Sequence, residues 1–366
     1  MKSLQVTAFL ATSALASGQG VSIGIVNAGF EAPAIAADSF ATTAPPPGWS
    51  GVGPLDFGAR TIGVLNPGAS GLYPLGVPEG QNCGVVFLLD NFGNQSFFAD
   101  QPAGLAQTLN ANLQASTRYR LSVQVGNLAS APGFPHSQFQ FGGFPDYRVE
   151  LLAGGQVIAA DNNSLTPNEG EFELSVVELD VGGAHPLVGQ PLGVRLLNLN
   201  AAPGIEVNFD AVELRAESIP AQGLNYCSAG TTTAGCAATL TALGVASASA
   251  ASGFVLSANN VEGQRAGLLF YSVAGPNSAP WSPASSSVLC VKSPTQRMGV
   301  GNSGGNAGAC DGALGEDWNA FRATHPGASG QPFLGGELVY AQAWFRDPPA
   351  PQSTNLSNAR VFVVAP

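Results

Sequence analysis

The stretch RYRLSVQV, residues 118–125, alternates apolar and polar side chains along its whole length. Tyr119, Leu121, Val123 and Val125 fall on one side of an extended chain, because successive side chains of a β-strand point to opposite faces. This alternation predicts a half-buried β-strand with one face against a core.

Similar short runs, rich in β-branched and aromatic residues, recur along the chain and are separated by Gly, Pro and Asn clusters. They lie at residues 172–181, 191–199, 205–214, 253–256, 266–273, 287–291, 338–345 and 360–364. Helical periodicity is confined to residues 316–323, which could form one short helix. Many short strands with frequent turn signals predict an all-β protein built from two β-sandwich domains.

The composition limits the possible partners. Hydrophobic residues make up 45% of the chain and charged residues only 10%, so the chain should fold rather than remain disordered. The only lysines are Lys2 and Lys292, and no basic cluster exists to displace counterions from a phosphate backbone. We therefore expect no nucleic-acid partner.

The charge is distributed unequally and suggests a domain boundary. Residues 21–216 carry a net charge of −11, which is the charge of the whole chain, and residues 218–366 are neutral. The composition shifts to Ala, Ser, Thr and Gly after Ser218-Ile219-Pro220. We expect one domain at residues 21–216, a linker at 217–226 and a smaller domain at 227–366.

The first residues have the pattern of a secretory signal peptide. A basic start at Lys2 is followed by an apolar run, Leu4 to Leu15, and by an Ala-x-Ala site at residues 14–16. The run is too short for a membrane-spanning helix, which needs about 20 residues. We expect a signal peptide at residues 1–20, a secreted or cell-surface location, and no transmembrane segment.

Five cysteines fit an oxidising compartment. Cys227, Cys236, Cys290 and Cys310 lie in the second half, and four cysteines allow three pairings. We expect the local pairing 227–236 and 290–310, because each pair is separated by one turn-rich loop. Cys83 lies in an apolar run and is expected to be a buried free thiol.

Two short segments carry carboxylates at opposite ends of the first domain. They are NAGFE, residues 27–31, and NFDAVEL, residues 208–214. The terminal strands of a jelly roll commonly lie side by side, which would bring Glu31 near Asp210. Two carboxylates with backbone carbonyls suit calcium, which takes 6–8 oxygen ligands in flexible geometry. The alternative is two solvated carboxylates without a metal.

These segments also carry a resemblance to known folds. Together with the PGW turn at 47–49 and the T-x-Y-x-L-x-V strand at 117–123, they resemble galactose-binding-type jelly rolls. That fold is shared by carbohydrate-binding modules and by the calcium-dependent Stig cyclases, which rearrange indole terpenoids. Residues 107–126 and 147–155 resemble the cyclase branch more closely. The resemblance implies that Glu31 and Asp210 are metal ligands.

The resemblance does not identify a catalytic residue. Stig cyclases are understood to protonate the substrate with an acidic side chain in an aromatic-lined cavity. Asp56, Asp90, Asp146 and Asp161 are candidates, but none lies in a motif that assigns the role. The catalytic residue is therefore unknown at this stage.

An aromatic cluster offers a possible binding surface. Phe134, Phe139, Phe141, Phe144 and Tyr147 crowd a segment rich in Gly, Pro and Gln. Aromatic side chains on an exposed loop could stack on sugar rings. They could equally cover the edge of the core.

The second half resembles a C-terminal β module of secreted bacterial proteins. The resemblance rests on YCSAGT at 226–231, LCV at 289–291, AQAWFRD at 341–347 and STNLSNA at 353–359. It implies a location outside the cytoplasm and assigns no chemistry.

These observations favour a secreted, calcium-stabilised binding protein without catalytic activity, recognising a glycan or a similar ligand. The alternative is a Stig-cyclase-like isomerase that acts by acid catalysis on a hydrophobic small molecule. A second alternative is a structural or adhesive cell-surface protein. A deep apolar cavity with one buried acid would favour the cyclase, and a shallow aromatic groove would favour glycan binding.

Overall fold

The computed structural model describes residues 20–56, 58–89, 101–130 and 141–366. The expected signal peptide, except for Gly20, lies outside the described residues. Nearly every regular element is a β-strand, which confirms the predicted all-β class. No helix in these ranges is long and apolar enough to cross a membrane.

The first half folds into two antiparallel sheets. Its strands are β1 (Val21–Ile23), β2 (Ser39–Ala41), β3 (Ser50–Val52), β4 (Arg60–Asn66), β5 (Cys83–Leu88), β6 (Ala103–Asn112), β7 (Thr117–Asn127), β8 (Tyr147–Ala153), β9 (Gln156–Asn162), β10 (Glu171–Val181), β11 (Pro191–Asn198) and β12 (Glu206–Ser218). One sheet has the order β10-β7-β12-β5-β4-β2, with β1 also paired to β12. The other has the order β3-β6-β11-β8-β9.

The core of the first half lies between these two sheets. Strand β7 supplies Tyr119, Leu121, Val123 and Val125, all of them buried, as the alternation of residues 118–125 predicted. Strands β11 and β12 place buried apolar side chains against them from both sheets. The arrangement confirms a jelly-roll sandwich.

The second half contains three further sheets. Its strands are β13 (Leu224–Tyr226), β14 (Thr239–Gly244), β15 (Phe254–Val261), β16 (Ala266–Ser272), β17 (Pro276–Pro280), β18 (Val288–Val291), β19 (Gln296–Asn302), β20 (Gly312–Asp317), β21 (Leu338–Arg346) and β22 (Thr354–Val363). The sheets have the orders β13-β22-β21-β16-β19, β14-β15-β20 and β17-β18. A separate core lies inside, around Trp318, Phe345 and Phe362.

The short helix expected near residues 316–323 is helix α1 (Trp318–Thr324). The side chain of Asp317 accepts a hydrogen bond from the backbone N–H of Ala320 at 3.0 Å and so caps its first turn. The halves touch where Gly183 N–H donates to the Gly336 carbonyl oxygen at 2.7 Å, and where the Arg118 guanidinium lies 5.4 Å from the Tyr226 ring centre.

The predicted disulfide pairing is wrong, although all four predicted cysteines form disulfides. The bonds join Cys227 to Cys290 and Cys236 to Cys310. Hydrogen bonds between Thr232 and Cys236 close a tight turn after β13, so this turn does not need a disulfide across it. Each bond joins cysteines distant in sequence, 63 and 74 residues apart. Cys83 is free and buried, as predicted.

Candidate active site

Strand β12 carries a row of polar side chains on the face that does not enter the sandwich core. Val207 and Phe209 point into the core, whereas Glu206, Asn208 and Asp210 occupy the alternate positions. All three polar residues are buried, and Glu206 is only 8% exposed. Burying carboxylates is costly, so this row is a candidate for function rather than for stability.

The chain between β4 and β5, residues 67–82, covers this row; we call it the covering segment. It places Leu72 and Tyr73 over the outer face of the sheet, where they form a second small core. The other buried members of that core are Leu65, Cys83, Val85 and Leu128. The polar row of β12 therefore lies beneath apolar and aromatic side chains.

A cavity of about 200 Å³ opens beside this second core, at the Glu206 end of the row. Its lining is largely apolar and includes three aromatic side chains. The lining residues are Phe40, Thr42, Gly58, Thr61, Leu65, Leu72, Val85, Phe87, Leu128, Phe141 and Glu206. Among these residues Glu206 is the only one that ionises near neutral pH.

Burial raises the pKa of Glu206 to about 7, although a hydrogen bond from Asn208 opposes this rise. The Asn208 Nδ2 atom donates to Glu206 Oε1 at 3.1 Å and to the Gly84 carbonyl oxygen at 3.2 Å. The Glu206 side chain therefore holds its proton to a much higher pH than an ordinary glutamate does. A carboxylic acid that keeps its proton at neutral pH can act as a general acid.

The covering segment also orients this acid. The Tyr73 hydroxyl donates to Asn208 Oδ1 at 2.7 Å. This bond fixes which end of the Asn208 side-chain amide faces Glu206. Tyr73, Asn208 and Glu206 form a buried hydrogen-bonded chain that ends at the cavity.

The other end of the polar row brings the two predicted metal ligands to one loop. Asp210 Oδ2 accepts from the backbone N–H of Glu79 at 2.9 Å. Glu31 Oε1 accepts from the backbone N–H groups of Gln81 and Asn82, both at 2.8 Å. The covering segment thus connects the first segment of the domain to its last strand.

A bulge in β12 positions Asp210. The pairing of β12 with β7 shifts between Asp210 and Glu213, and Ala211 has a positive φ of 47°. The Val212 N–H then donates to the Ala28 carbonyl oxygen at 3.1 Å, which places residues 27–31 beside the bulge. The side-by-side placement expected of the two terminal segments is therefore present.

The electrostatics of this end are compatible with a cation. Burial raises the pKa of Asp210 to about 7; hydrogen bonds from Glu79 and Ala211 oppose the rise, and the charges of Glu79 and Glu31 add to it. No salt bridge to these three carboxylates occurs among the described residues. The same residues contain no cluster of three or more acidic, His or Cys side chains spaced to hold a metal. A calcium ion here would need backbone carbonyl oxygens as further ligands, which calcium accepts.

The predicted aromatic surface does not form as one patch in the part of the chain that the structure describes. Phe134 and Phe139 lie outside the described residues. Phe141 lines the cavity, with its ring centre 6.2 Å from that of Phe87 in an edge-on arrangement. Phe144 packs on the core near Tyr147, which is buried and donates its hydroxyl to Asp161.

Three of the four aspartates considered from the sequence, Asp56, Asp146 and Asp161, are described by the structure and do not line this cavity. Asp56 accepts backbone hydrogen bonds from Gly58 and Arg60, both at 2.8 Å. Asp146 has a positive φ of 57° in the turn before β8. Asp161 accepts from Tyr147 and Ser175, and its pKa is lowered by these bonds against the effect of burial. Asp90 lies outside the described residues.

Sequence reasoning missed Glu206. A signal was available: Glu206, Asn208 and Asp210 alternate with Val207 and Phe209 in an otherwise apolar strand. Polar residues on the outer face of a strand are usually solvated, so this pattern did not show burial. Among the described residues, the covering segment together with Phe40 and Phe141 turns that face into an interior.

Comparison with known proteins identifies the family of the first half. The family model for the HpiC1-like proteins, described as HpiC1 cyclase, matches residues 21–215. The chain belongs to the HpiC1-like family. The family match covers both sheets of the first half and ends within β12.

Among solved structures, this chain is similar to Stig cyclases. One is the Stig cyclase Fisc from Fischerella sp. TAU in complex with (3Z)-3-(1-methyl-2-pyrrolidinylidene)-3H-indole, which is 38% identical over 54% of this chain and 98% of that chain, with a TM-score of 0.48. Another is a cyclase from the same organism in complex with 4-(1H-indol-3-yl)butan-2-one, at 39% identity, with the same coverage and a TM-score of 0.47. No curated protein matches this chain.

A more distant match is the CBM22-1 xylan-binding domain of Paenibacillus barcinonensis Xyn10C. It is 12% identical over 56% of this chain and 100% of that chain, with a TM-score of 0.32.

Membership of the HpiC1-like family corrects two predictions from the sequence. The interpretation as a non-catalytic glycan-binding or adhesive protein is wrong, and so is the expectation that the protein is not an enzyme. The error came from interpreting the aromatic segment as a surface for binding sugars. The sequence alone did not reveal the cavity or its buried acid.

Proposed function

We propose that the HpiC1-like half is an acid-catalysed cyclase acting on a hydrophobic small molecule, with Glu206 as the general acid. The observation that carries this proposal is a buried carboxyl group, the only one among the described lining residues of an apolar, aromatic-lined cavity, with a pKa of about 7. A shallow glycan groove would need neither the burial nor the raised pKa.

The reaction that this geometry supports is an isomerisation. Protonated Glu206 transfers its proton to an electron-rich double bond of the bound substrate, and a carbocation forms on the substrate. A second double bond of the same molecule attacks that cation, which closes a ring. A proton then leaves the cyclised cation and returns to the Glu206 carboxylate, so substrate and product have the same mass.

The walls of the cavity suit the charge that develops. The rings of Phe40, Phe87 and Phe141 line the space, and the faces of aromatic rings attract cations. The Glu206 carboxylate left after proton transfer also stabilises the cation, strongly so because the site is buried and low in dielectric. The apolar lining keeps water from capturing the intermediate.

The hydrogen-bonded chain from Tyr73 to Asn208 positions the acid. Asn208 donates to Oε1 of Glu206, which leaves Oε2 to carry the acidic proton. The amide of Asn208 cannot rotate freely, because Tyr73 donates to its oxygen. Asn208 and Tyr73 are thus positioning residues.

The substrate class that we propose is an indole bearing an unsaturated hydrocarbon chain. A cavity of about 200 Å³ with three aromatic side chains suits a compact planar ring system. Family membership points to the same chemistry, since residues 21–215 match a cyclase model.

We also propose a structural calcium ion at the other end of the polar row. Glu31 and Asp210 would hold it. The Glu79 carboxyl group lies against Gly29, two residues before Glu31: a Cβ added at Gly29 would be 2.8 Å from the Glu79 carboxyl carbon. The ion would offset the mutual repulsion of the three carboxylates. Because both ligands also accept hydrogen bonds from the covering segment, it would fix that segment over Glu206.

Two further proposals concern the setting of the protein. The two disulfides of the second half support an oxidising location, secreted or at the cell surface. The separate cores of the two halves support a division into an enzyme domain at 21–216 and a smaller domain at 227–366, joined by residues 217–226.

The test is conversion of indoles that carry a prenyl or geranyl chain, followed by chromatography with mass detection. The full chain should give new products of unchanged mass, and Glu206→Gln should lower the rate by about 100- to 10,000-fold, the usual contribution of a general acid. The matched control is Glu213→Gln on the same strand, where Glu213 pairs with Arg215 at the surface.

Binding separates loss of chemistry from loss of fold. Glu206→Gln should still bind 4-(1H-indol-3-yl)butan-2-one, a molecule held by one of the matching cyclases, about as tightly as the wild type does. If Glu206→Gln converts substrate at the wild-type rate, Glu206 is not the general acid. Products of altered mass would exclude an isomerisation.

A further inference from the structure

A second cavity lies in the other half of the molecule, on the outer face of the sheet β13-β22-β21-β16-β19. Leu268 of β16 pairs with Trp344 of β21, and Trp344 pairs with Leu356 of β22. These three side chains form an apolar row across three strands. The alternate residues of the same strands, such as Phe345, point into the core.

The β17–β18 hairpin covers this row and leaves a cavity of about 450 Å³, more than twice the volume beside Glu206. Trp281 and Leu289 form its wall. Trp281 Nε1 donates to Thr354 Oγ1 at 2.9 Å, and the Cys290 N–H donates to Gln342 Oε1 at 3.0 Å. The Cys227–Cys290 disulfide also holds the hairpin, so the cavity is preformed.

The charges around this cavity have one sign. Arg297 and Arg346 contribute to its lining, and none of its lining residues is acidic. Neither arginine forms a salt bridge within the described part of the chain. The carboxylate of Asp347, next to Arg346, is buried and bonds to Thr233 instead.

Aromatic and basic side chains are combined in one place. The Arg346 guanidinium lies 5.5 Å from the centre of the Trp344 ring, which holds it over an aromatic face. Phe270 pairs with Arg297 across β16 and β19, so a second aromatic side chain lies beside the second arginine. Guanidinium groups bind carboxylates in a planar, bidentate geometry, and indole faces stack on planar rings.

We propose that this second cavity binds a small aromatic carboxylate, with its ring against Trp344 and Trp281 and its carboxylate between Arg297 and Arg346. The site is independent of the Glu206 cavity. Its ligand carries a negative charge, which the Glu206 cavity would disfavour. It gives the second half a binding role of its own.

The experiment is calorimetric titration of the full chain with three probes: indole-3-acetate, tryptamine and acetate. Indole-3-acetate should bind at least tenfold more tightly than tryptamine, which has the same ring and the opposite charge. It should also bind at least tenfold more tightly than acetate, which lacks the ring. Equal affinity for indole-3-acetate and tryptamine would overturn the proposal.

Variants locate the site. The double variant Arg297→Gln/Arg346→Gln should weaken binding of indole-3-acetate at least tenfold, and both side chains are exposed, so the fold should persist. The matched control is Lys292→Gln, which removes a positive charge just after the same hairpin without altering the lining. Glu206→Gln should leave this affinity unchanged. If the double variant binds as tightly as the wild type, the cavity is not the site.

Discussion

The two halves of the molecule make a cavity in the same way and give it opposite chemistry. In each half an extra segment lies over the outer face of a sheet: residues 67–82 in the first half and the β17–β18 hairpin in the second. The first segment is held by hydrogen bonds to buried polar groups of β12, the second by a disulfide and by Gln342. The first cavity contains a buried acid, and the second contains exposed arginines.

This difference shows what a covering segment does to the strand beneath it. The alternation of a strand fixes which residues share its outer face, but the cover decides whether they are solvated. In the first half burial removes water from a glutamate and raises its pKa to about 7. Beside the hairpin Arg297 and Arg346 remain exposed, and their guanidinium groups are available to bind an anion.

The largest difference in stability between the two halves should appear when the Cys227–Cys290 disulfide is removed. Replacing both Cys227 and Cys290 by Ala removes a bond between residues 63 apart in sequence. In the chain-entropy account this lowers the free energy of unfolding by about 4 kcal/mol. Hydrogen exchange of the full chain, resolved by peptide, should show faster exchange in β17, β18 and β22 and unchanged exchange in β7 and β12.

The control for this variant is Cys83→Ala, which removes a cysteine that forms no disulfide. Its effect should be confined to the second small core of the first half, where Cys83 is buried. Faster exchange throughout both halves of the Cys227/Cys290 variant would show that the halves unfold as one unit.

The second effect is a dependence of stability on pH that belongs to the first half. The pKa of Glu206 is about 7 in the folded protein, above its ordinary value of 4.5. Between these two values the unfolded chain has released a proton that the folded chain retains, so stability falls as pH rises. Glu206 alone should lower the free energy of unfolding by roughly 3 kcal/mol between pH 4.5 and pH 7.

Denaturant titrations of the full chain at pH 5 and pH 7.5, without calcium, measure this effect. Glu206→Gln should remove the part of the difference that Glu206 contributes, and Asp210, whose pKa burial also raises to about 7, should account for a further part. In the second half the carboxyl group of Asp317 has a lowered pKa, because backbone hydrogen bonds from Gly253 and Ala320 outweigh its burial. That shift acts below pH 4, so Asp317 should contribute little over the same interval. A pH dependence that Glu206→Gln leaves intact would contradict the raised pKa of Glu206.

The third effect is the response to calcium. The unfolded chain lacks the site, so calcium at 100 times its dissociation constant should stabilise the first half by about 2.7 kcal/mol. Chelation should lower the melting temperature reported by probes in strands β7 and β12. It should leave the melting temperature of the second half unchanged. Asp210→Asn or Glu31→Gln should remove most of the response, whereas Asp161→Asn should not. Identical melting with calcium and with chelator would refute the site.

The sequence predicted the sheets better than the site, for a physical reason. The alternation of apolar and polar side chains is a local pattern, so residues 118–125 predicted a strand and its buried face. The roles of Glu31 and Asp210 came from a family resemblance, and the loop that joins them was not foreseen. The raised pKa of Glu206 depends on burial by segments distant in sequence, among them residues 67–82, which carry no strand periodicity. The disulfide pairing failed similarly, because it depends on which strands become neighbours.

The smallest effect that we expect tests the chain of hydrogen bonds to the acid. Tyr73→Phe removes the hydroxyl that donates to Asn208 Oδ1, so the Asn208 amide is no longer fixed in its orientation. Loss of one buried hydrogen bond costs about 1 kcal/mol of stability, and the rate should fall only a few-fold. The bond from Asn208 lowers the pKa of Glu206, so weakening it should raise that pKa.

The rate of the wild type should decline above about pH 7 as Glu206 loses its proton, and in Tyr73→Phe this decline should begin at a higher pH. A merely structural role for Tyr73 would lower the rate without moving the decline. The control is Tyr119→Phe, because the Tyr119 hydroxyl accepts from the backbone N–H of Gln114 and is remote from the polar row of β12. If both variants give the wild-type pH profile, the Tyr73 hydroxyl does not act on Glu206, and the covering segment contributes only its apolar surface.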